Sequence, residues 1–166
     1  MELDELRAVQ EPLKAQYRDD PETAVITLEA EGELGGGITC SVKTGSAMAK
    51  AGLHPATGGD GVSLCSGDML LEALVACAGV TLNAVATSLG IKIQRGAVRA
   101  EGDLDVRGTL AVARDAPVGF RSIRVAFDLD TDAGDEQLAT LLKLTERYCV
   151  VFQTLARSPE LSTTLV

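Results

Sequence analysis

The chain is poor in the side chains that stack on nucleic-acid bases: it has no Trp, and its aromatic content is 3%. It also has no excess of positive charge, since its formal net charge is −9 at pH 7. Binding to nucleic acid or to an anionic membrane surface depends on a basic face that displaces counterions. We therefore expect neither nucleic acid nor a membrane among the partners.

Metal ligands and targeting signals are scarce as well. The chain has one histidine, His54, and no C-x-x-C pair, so common zinc patterns are missing and we expect neither a metal nor a cofactor. Residues 1–10 are acidic and polar, without the basic and apolar regions of a secretory signal. We expect a cytoplasmic, reducing location in which thiols stay free. The four cysteines are Cys40, Cys65, Cys77 and Cys149.

A length of 166 residues with 46% hydrophobic content is enough for one core, so a single domain over 1–166 is predicted. Apolar residues at helical spacing between Leu3 and Leu13 predict a short amphipathic helix, with Pro12 as a possible break. Period-two patterns at 23–30 and 38–42 then predict a hairpin.

The segments that follow predict a loop and then a long apolar helix. Residues 51–65 lack periodicity and predict a surface loop, with His54 as a turn residue. Residues 69–89 are apolar almost all round, which indicates a buried central helix. A membrane span is the competing interpretation, and the polar residues Asp68 and Glu72 argue against it. One sheet cannot cover such a helix, so a homodimer is expected.

The last third of the chain is predicted to add strands and then helices. A period of two over 98–112 predicts one long strand, or two strands joined near Gly102 or Gly108. The same period over 123–129 predicts an antiparallel partner with one buried face. A helix capped by Asp135 is predicted to end near Cys149, followed by a helical stretch over 150–156 and a last strand over 161–166. The order of the elements predicts an α+β domain.

Two cysteines stand out as candidates for chemistry. Cys77 lies midway along the apolar helix and Cys149 ends a later one, so in a reducing compartment they suggest a redox pair. The apolar neighbours of Cys77 predict a raised thiol pKa and an inert side chain, unless a cation is supplied from elsewhere. Simple core packing is the alternative for both cysteines. Cys40 is expected to be a core residue, and Cys65 at the helix entrance has no assigned role.

The runs SGDMLLEALVACAG and VTLNAVATSLGI, and then LTERYCVVFQTL, resemble the OsmC/Ohr family of osmotically induced and organic-hydroperoxide-resistance proteins. The resemblance implies an intertwined homodimer with antiparallel sheets wrapped around a buried central helix. It implies that Cys77 is the peroxidatic thiol and Cys149 the resolving thiol. It also implies an activating Arg from the partner subunit, for which Arg18 is the candidate, and an orienting carboxylate, for which Asp68 is nearest and Glu72 a weaker choice.

The expected activity is thiol peroxidase. Cys77 would be oxidised by an organic hydroperoxide or hydrogen peroxide to a sulfenic acid, a Cys77–Cys149 disulfide would follow, and an external dithiol would reduce it. Two departures mark a divergent member: Val150 follows Cys149 where many members have Pro, and Asp68 stands where Glu is usual. The alternatives are a non-enzymatic OsmC-like dimer that binds a small hydrophobic ligand, in which Asp68 is a helix cap, and a thiol redox sensor.

Overall fold

The computed structural model describes residues 3–20, 24–25, 32–35, 39–44, 47–111 and 113–165. Helices and strands are mixed in this part of the chain, so the α+β prediction is confirmed. The helices are α1 (Leu3–Asp19), α2 (Ser66–Leu89), α3 (Val106–Thr109), α4 (Asp135–Tyr148) and α5 (Val150–Ala156). The strands are β1 (Gly32–Gly35), β2 (Thr39–Thr44), β3 (Ala47–Gly52), β4 (Leu64–Cys65), β5 (Ile93–Leu104) and β6 (Phe120–Thr131).

The contacts divide the chain into two compact units. One comprises Met1–Leu70 and Asp103–Ser122, and the other comprises Leu71–Gly102 and Ile123–Val166. The first holds α1, the strands β1 to β4 and α3, while the second holds most of α2 together with α4 and α5. That residues 1–166 form a single domain stays a prediction.

Helix α1 confirms the predicted N-terminal helix and extends it to Asp19. Pro12 lies inside the helix without ending it. Proline removes one backbone N–H donor from the helix, and here the helix continues past it. Lys14 adds an ion pair with Glu11 one turn earlier, with 2.9 Å between Lys14 Nζ and Glu11 Oε1.

The strands β1 to β4 form one sheet in chain order. β1 pairs with β2 in antiparallel register, Leu34 opposite Cys40, so the second strand of the predicted hairpin lies in β2. The first predicted strand, 23–30, lies largely outside the described residues. β3 and β4 are parallel, with Gly52 opposite Cys65, which corrects the prediction of purely antiparallel sheets. The crossover between β3 and β4 is long enough for the chain to return in the same direction.

The crossover, predicted as a plain loop over 51–65, holds a short 3-10 helix over Pro55–Thr57. His54 caps this helix, because its Nδ1 accepts a hydrogen bond from the N–H of Ala56 at 3.0 Å. The prediction that His54 is a turn residue is therefore confirmed. Gly59 is required by space, since a Cβ there would overlap the carbonyl oxygen of Leu53.

Helix α2 confirms the predicted long apolar helix, but only one of its faces is buried in the protomer. The buried residues recur at three to four positions, as expected for a helix face, and they are Leu74, Ala78, Leu82, Val85 and Ala86. Val80 on another face is 73% exposed. By length and composition alone, α2 is the single helix in the described part of the chain that qualifies as a membrane span, and a buried core helix meets the same criteria.

Strands β5 and β6 form a two-stranded sheet. Arg95 pairs with Asp130, while Arg124 near the start of β6 pairs with Glu101 near the end of β5. The pairs run in opposite order along the two strands, so the strands are antiparallel. The predicted alternation over 123–129 is confirmed, because every second side chain there is exposed.

The predicted continuation of the first of these strands to residue 112 is wrong. β5 ends at Leu104, and Asp105 caps the short helix α3 by accepting a hydrogen bond from the N–H of Arg107 at 3.2 Å. The Arg107 guanidinium also lowers the pKa of Asp105 to about 2, mainly by hydrogen bonding. Gly108 fits closely here, since a Cβ would lie 2.5 Å from the carbonyl oxygen of Pro117.

The C-terminal helices follow the prediction with two corrections. Gly134, not Asp135, is the N-cap of α4, and its N–H donates to Oε1 of Gln137 at 3.2 Å. Residues 161–165 form no strand. Leu141, fully buried on α4, packs with the buried face of α2 and with Ile91 in one apolar cluster. This core fixes α4 against α2.

Candidate functional site

Cys77 lies on the middle turns of α2, where the helix is unbroken. Its neighbours Leu74 and Ala78 are buried, and Cys77 itself is half-buried. The thiol therefore stands at the border between the core and the surface of the protomer. A thiol in such a position can be packed by apolar groups and still be reached by a small reactant.

Cys149 lies at the junction between α4 and α5. Its N–H donates to the carbonyl of Thr145 and its carbonyl accepts from the N–H of Gln153, both at 2.9 Å. The residue ends one helix and begins the next in an extended conformation, with φ −72° and ψ 109°. Because the backbone is extended there, the first N–H groups of α5 have no partner in a preceding turn and can point toward a side chain.

The structure brings Cys77 and Cys149 together. Cys149 is 1% exposed and forms a buried cluster with Leu74 and Ala78, and Cys77 packs against this cluster. Hydrogen bonding between the two thiols lowers the pKa of Cys77 and raises that of Cys149. A pair in such contact has the placement that a sulfenic acid and a resolving thiol need in order to condense.

The pKa of the Cys77 thiol is lowered from its ordinary value. Burial raises it, but hydrogen bonds to the sulfur from the backbone of Val151, from Cys149, from the backbone of Val150 and from the Thr81 side chain together outweigh burial. Donors stabilise the charged form of a thiol more than its neutral form. Cys77 is therefore the thiol that ionises first.

The pKa of the Cys149 thiol is raised. Burial is the largest cause, and the thiolate of Cys77 adds repulsion while accepting the hydrogen bond of the Cys149 S–H. The backbone of Phe152 acts in the opposite direction without reversing the sum. The first proton to leave the pair therefore leaves Cys77, and the remaining proton stays on Cys149.

Apolar side chains surround the pair. They cover Cys149, which is 1% exposed, and leave Cys77 half-buried. The residues packed against the buried cluster, besides Cys77, are Val98, Ala100, Ile123, Val125, Phe127, Val151 and Phe152.

The other predicted site residues are placed as follows. Arg18 lies in the last turn of α1, is 69% exposed, and its Nη2 is 3.9 Å from Oε2 of Glu11. Asp68 is exposed in the first turn of α2, nine residues before Cys77 in the sequence, and is inside the helix rather than its N-cap. Glu72 is also exposed on α2. The roles of Arg18 and Asp68 at the thiol stay predictions.

The remaining cysteines lie in the other compact unit. Cys65 is half-buried at the end of β4 and is a free thiol, as are Cys77 and Cys149. Cys40 lies in β2, and the prediction that its side chain is in the core lies outside the described side chains. Among the described residues, no group of three or more His, Cys, Asp and Glu side chains could hold a metal ion.

Sequence reasoning missed the donors that lower the pKa of Cys77. The local apolar pattern predicted a raised pKa, which is wrong because it counted burial and not the donors brought by α5. The backbone N–H groups of Val150 and Val151 are available as donors because the helix breaks at Cys149. Apolar periodicity does not reveal such a break. The position of Thr81 was visible in the sequence, because a residue four positions after Cys77 lies on the same face of the helix.

A comparison with protein families identifies the family of this chain. The model of the OsmC family, described as OsmC-like protein, matches residues 58–164, so the chain belongs to this family. No curated protein sequence matches the chain at a significant level.

Solved structures extend the likeness in fold to most of the chain. An OsmC-like protein from Mycoplasma pneumoniae is 15% identical with a TM-score of 0.68, over 80% of this chain and 89% of that one. An organic hydroperoxide resistance protein OsmC from Legionella pneumophila is 15% identical with a TM-score of 0.59, over 81% and 91%. The organic hydroperoxide resistance protein OhrB of Bacillus subtilis is 16% identical with a TM-score of 0.55, over 80% and 93%. The OsmC-like fold that the resemblance implied is thereby confirmed.

Proposed function

We propose that this protein is a cysteine-based peroxidase that reduces hydroperoxides at Cys77. The observation that carries the proposal is the contact between two thiols whose pKa values are shifted in opposite directions. A thiolate is the nucleophile in thiol chemistry, and a protonated neighbour is ready to resolve the product. The names of the Legionella and Bacillus neighbours support this reaction class.

In the first step the Cys77 thiolate attacks the terminal oxygen of a hydroperoxide ROOH. The O–O bond breaks, an S–O bond forms, and the departing alkoxide takes up a proton as the alcohol ROH. The sulfur is oxidised by two electrons to a sulfenic acid, and the peroxide is reduced by two electrons. The apolar side chains around Cys77 suit the alkyl part of an organic hydroperoxide.

In the second step the sulfur of Cys149 attacks the sulfenic sulfur of Cys77. A disulfide forms, and the sulfenic hydroxyl leaves as water with the proton of the Cys149 thiol. An external dithiol then reduces the disulfide through a mixed disulfide, restores both thiols and is itself oxidised to a disulfide. Arg18 of the partner subunit and Asp68 are proposed as additional groups that stabilise the thiolate and orient the guanidinium.

The homodimer is part of the proposal, and the exposed face of α2 supports it. Ala73, Ala76, Val80 and Asn83 are exposed and lie along one side of the helix. Such a surface of small and apolar residues is suited to close packing against another helix. We expect the wild type to sediment as a dimer at micromolar concentration and Val80→Glu to dissociate it, whereas a stable wild-type monomer would overturn this part of the proposal.

The peroxidase proposal is tested by treating the reduced protein with one equivalent of cumene hydroperoxide and mapping the cysteines by mass spectrometry. We expect a disulfide between Cys77 and Cys149, with Cys40 and Cys65 still alkylatable. A Cys65→Ser variant is the control, since it should give the same product. An unmodified Cys77, or a bond that includes Cys40 or Cys65, would contradict the proposal.

A further inference from the structure

We propose that Thr145 is a positioning residue, whose buried hydroxyl sets the last turn of α4 and so the place of Cys149 beside Cys77. The inference rests on the proposed function, because it assigns a further residue to the pair of thiols. In the described part of the chain, Thr145 is the only buried side chain that carries an oxygen or nitrogen atom. A hydroxyl in such a place calls for a reason, since burial of a polar group costs free energy.

Thr145 lies between a core residue and the proposed resolving thiol on one face of α4. Leu141, Thr145 and Cys149 follow one another at intervals of four residues and are 0%, 1% and 1% exposed. Leu141 packs in the cluster that contains Leu82 of α2, while Cys149 packs in the cluster that contains Leu74 of α2. One turn of helix therefore separates Thr145 from each of the two clusters.

Hydrogen bonds connect Thr145 to both neighbours on this face. Its Oγ1 donates to the carbonyl of Leu141 at 2.8 Å, and its own carbonyl accepts the N–H of Cys149 at 2.9 Å. In a helix the Leu141 carbonyl also accepts the N–H of Thr145, so the hydroxyl is a second donor to a carbonyl that is already bonded. A bond of this kind slightly destabilises a helix and often bends it. A change in direction at Thr145 is passed on to Cys149, which is the C-cap of the helix.

The position of Cys149 matters because a disulfide has a narrow range of geometry. A misplacement of ~1 Å can slow a reaction between two held groups by about 10²-fold, so a shift of a fraction of this size is measurable. Thr145→Val keeps the branched side chain and removes the hydroxyl, so it relieves the buried polar group and also the second bond to Leu141. Thr145→Ser keeps the hydroxyl and loses a buried methyl group.

The experiment equilibrates the reduced protein with glutathione buffers, alkylates the free thiols and counts the Cys77–Cys149 disulfide by peptide mass spectrometry. Each disulfide formed reduces one oxidised glutathione to two molecules of reduced glutathione, so the equilibrium gives the effective concentration of one thiol toward the other. We expect Thr145→Val to lower this effective concentration by roughly three- to tenfold, and Thr145→Ser to stay within about twofold of the wild type.

Thermal unfolding of the reduced proteins should show the opposite order. The Tm of Thr145→Val should equal or exceed that of the wild type, because the buried hydroxyl is gone, and the Tm of Thr145→Ser should be lower, because a methyl is lost from the core. A residue that served stability alone would not separate the two measurements in this way.

Thr140→Val is the matched control on the same helix. Thr140 makes the same kind of bond, to the carbonyl of Glu136 at 2.9 Å, but it is exposed and lies nine residues before Cys149. Its replacement should leave the effective concentration unchanged.

Three outcomes would overturn the role of Thr145: a wild-type effective concentration in Thr145→Val, an equal loss in Thr145→Ser, or an equal loss in Thr140→Val. The peroxidase proposal fails separately, because the glutathione equilibrium needs no hydroperoxide. If the variants differ as expected while the wild type does not consume hydroperoxide, the assignment of Thr145 stands and the catalytic function does not.

Discussion

The surroundings of Cys77 and of Cys149 differ although the two thiols touch. Cys77 lies on a continuous helix and is half-buried, whereas Cys149 lies at a helix break and is 1% exposed. Burial raises the pKa of both thiols, yet the net shift is downward for Cys77 and upward for Cys149. Because burial raises the pKa of both thiols, hydrogen bonding accounts for the downward shift of Cys77, the proposed nucleophile.

The helix break makes this difference possible. An unbroken helix through residue 149 would bond the N–H groups of Val150 and Val151 to carbonyls in the preceding turn. The extended backbone at Cys149 leaves them for the sulfur of Cys77. One residue thus supplies the proposed resolving thiol and also frees the backbone donors that lower the pKa of Cys77.

Replacing each thiol in turn should have the largest effect. Cys77→Ser should abolish peroxide reduction, because a serine hydroxyl does not ionise near neutral pH. Cys149→Ser should still consume one equivalent of peroxide and then accumulate the Cys77 sulfenic acid. Stopped-flow peroxide consumption without reductant, followed by dimedone labelling, checks both variants. Peroxide consumption by Cys77→Ser at the wild-type rate would reverse the assignment.

Removing one backbone donor should have an intermediate effect. Val150→Pro deletes the N–H at the first position of α5, where proline is tolerated, and the extended conformation of Cys149 suits a residue before proline. We expect peroxide reduction at pH 7 to slow by roughly three- to tenfold through the loss of one hydrogen bond, with a smaller difference at alkaline pH.

Val150→Ala is the matched control for this substitution. It keeps the N–H and removes a side chain that is 69% exposed, so its rate should equal that of the wild type. If Val150→Pro and Val150→Ala have the same pH profile, the backbone donor at position 150 does not activate Cys77.

Weakening the bend between α4 and α5 should have the smallest effect. Gln153 Nε2 donates to the carbonyl of Glu146 at 2.8 Å and so bridges the two helices across Cys149. Gln153→Met keeps the length and loses the donor, which should cost about 0.5 kcal/mol for an exposed hydrogen bond. Thermal unfolding should show a decrease in Tm of roughly 1–2 °C. A decrease above roughly 5 °C would indicate that the bend depends on this bond far more than the account assumes.

Much of the fold could be predicted because it follows from apolar periodicity. Helix α2 and the alternation over 123–129 are confirmed, since each side of these elements meets either core or solvent. The strand that was predicted to continue to residue 112 ends before Asp105. There the Asp105 cap of α3 and the close approach of Gly108 to Pro117 outweigh the alternation of apolar residues. Local side-chain bonds of this kind carry no periodic signal.

The site could be predicted only in part. Cys77 and Cys149 were singled out by their positions in two helices, and their roles came from the resemblance to the OsmC/Ohr family. The structure places the two residues in contact. The pKa direction of Cys77 was missed, because the donors from Val150 and Val151 come from a helix 73 residues away in the sequence. Tertiary contacts of this kind are not encoded in the neighbours of Cys77 along its own helix.

The central claim is that Cys77 ionises before Cys149. It is tested most directly by titrating the ¹³Cβ resonances of both residues in protein labelled with [3-¹³C]cysteine, because this measurement needs no reagent to reach the buried thiol. Cys77→Ser and Cys149→Ser assign the resonances. We expect the pKa of Cys77 to be lower than that of an ordinary thiol and the pKa of Cys149 to be higher. A lower pKa at Cys149 than at Cys77 would contradict it.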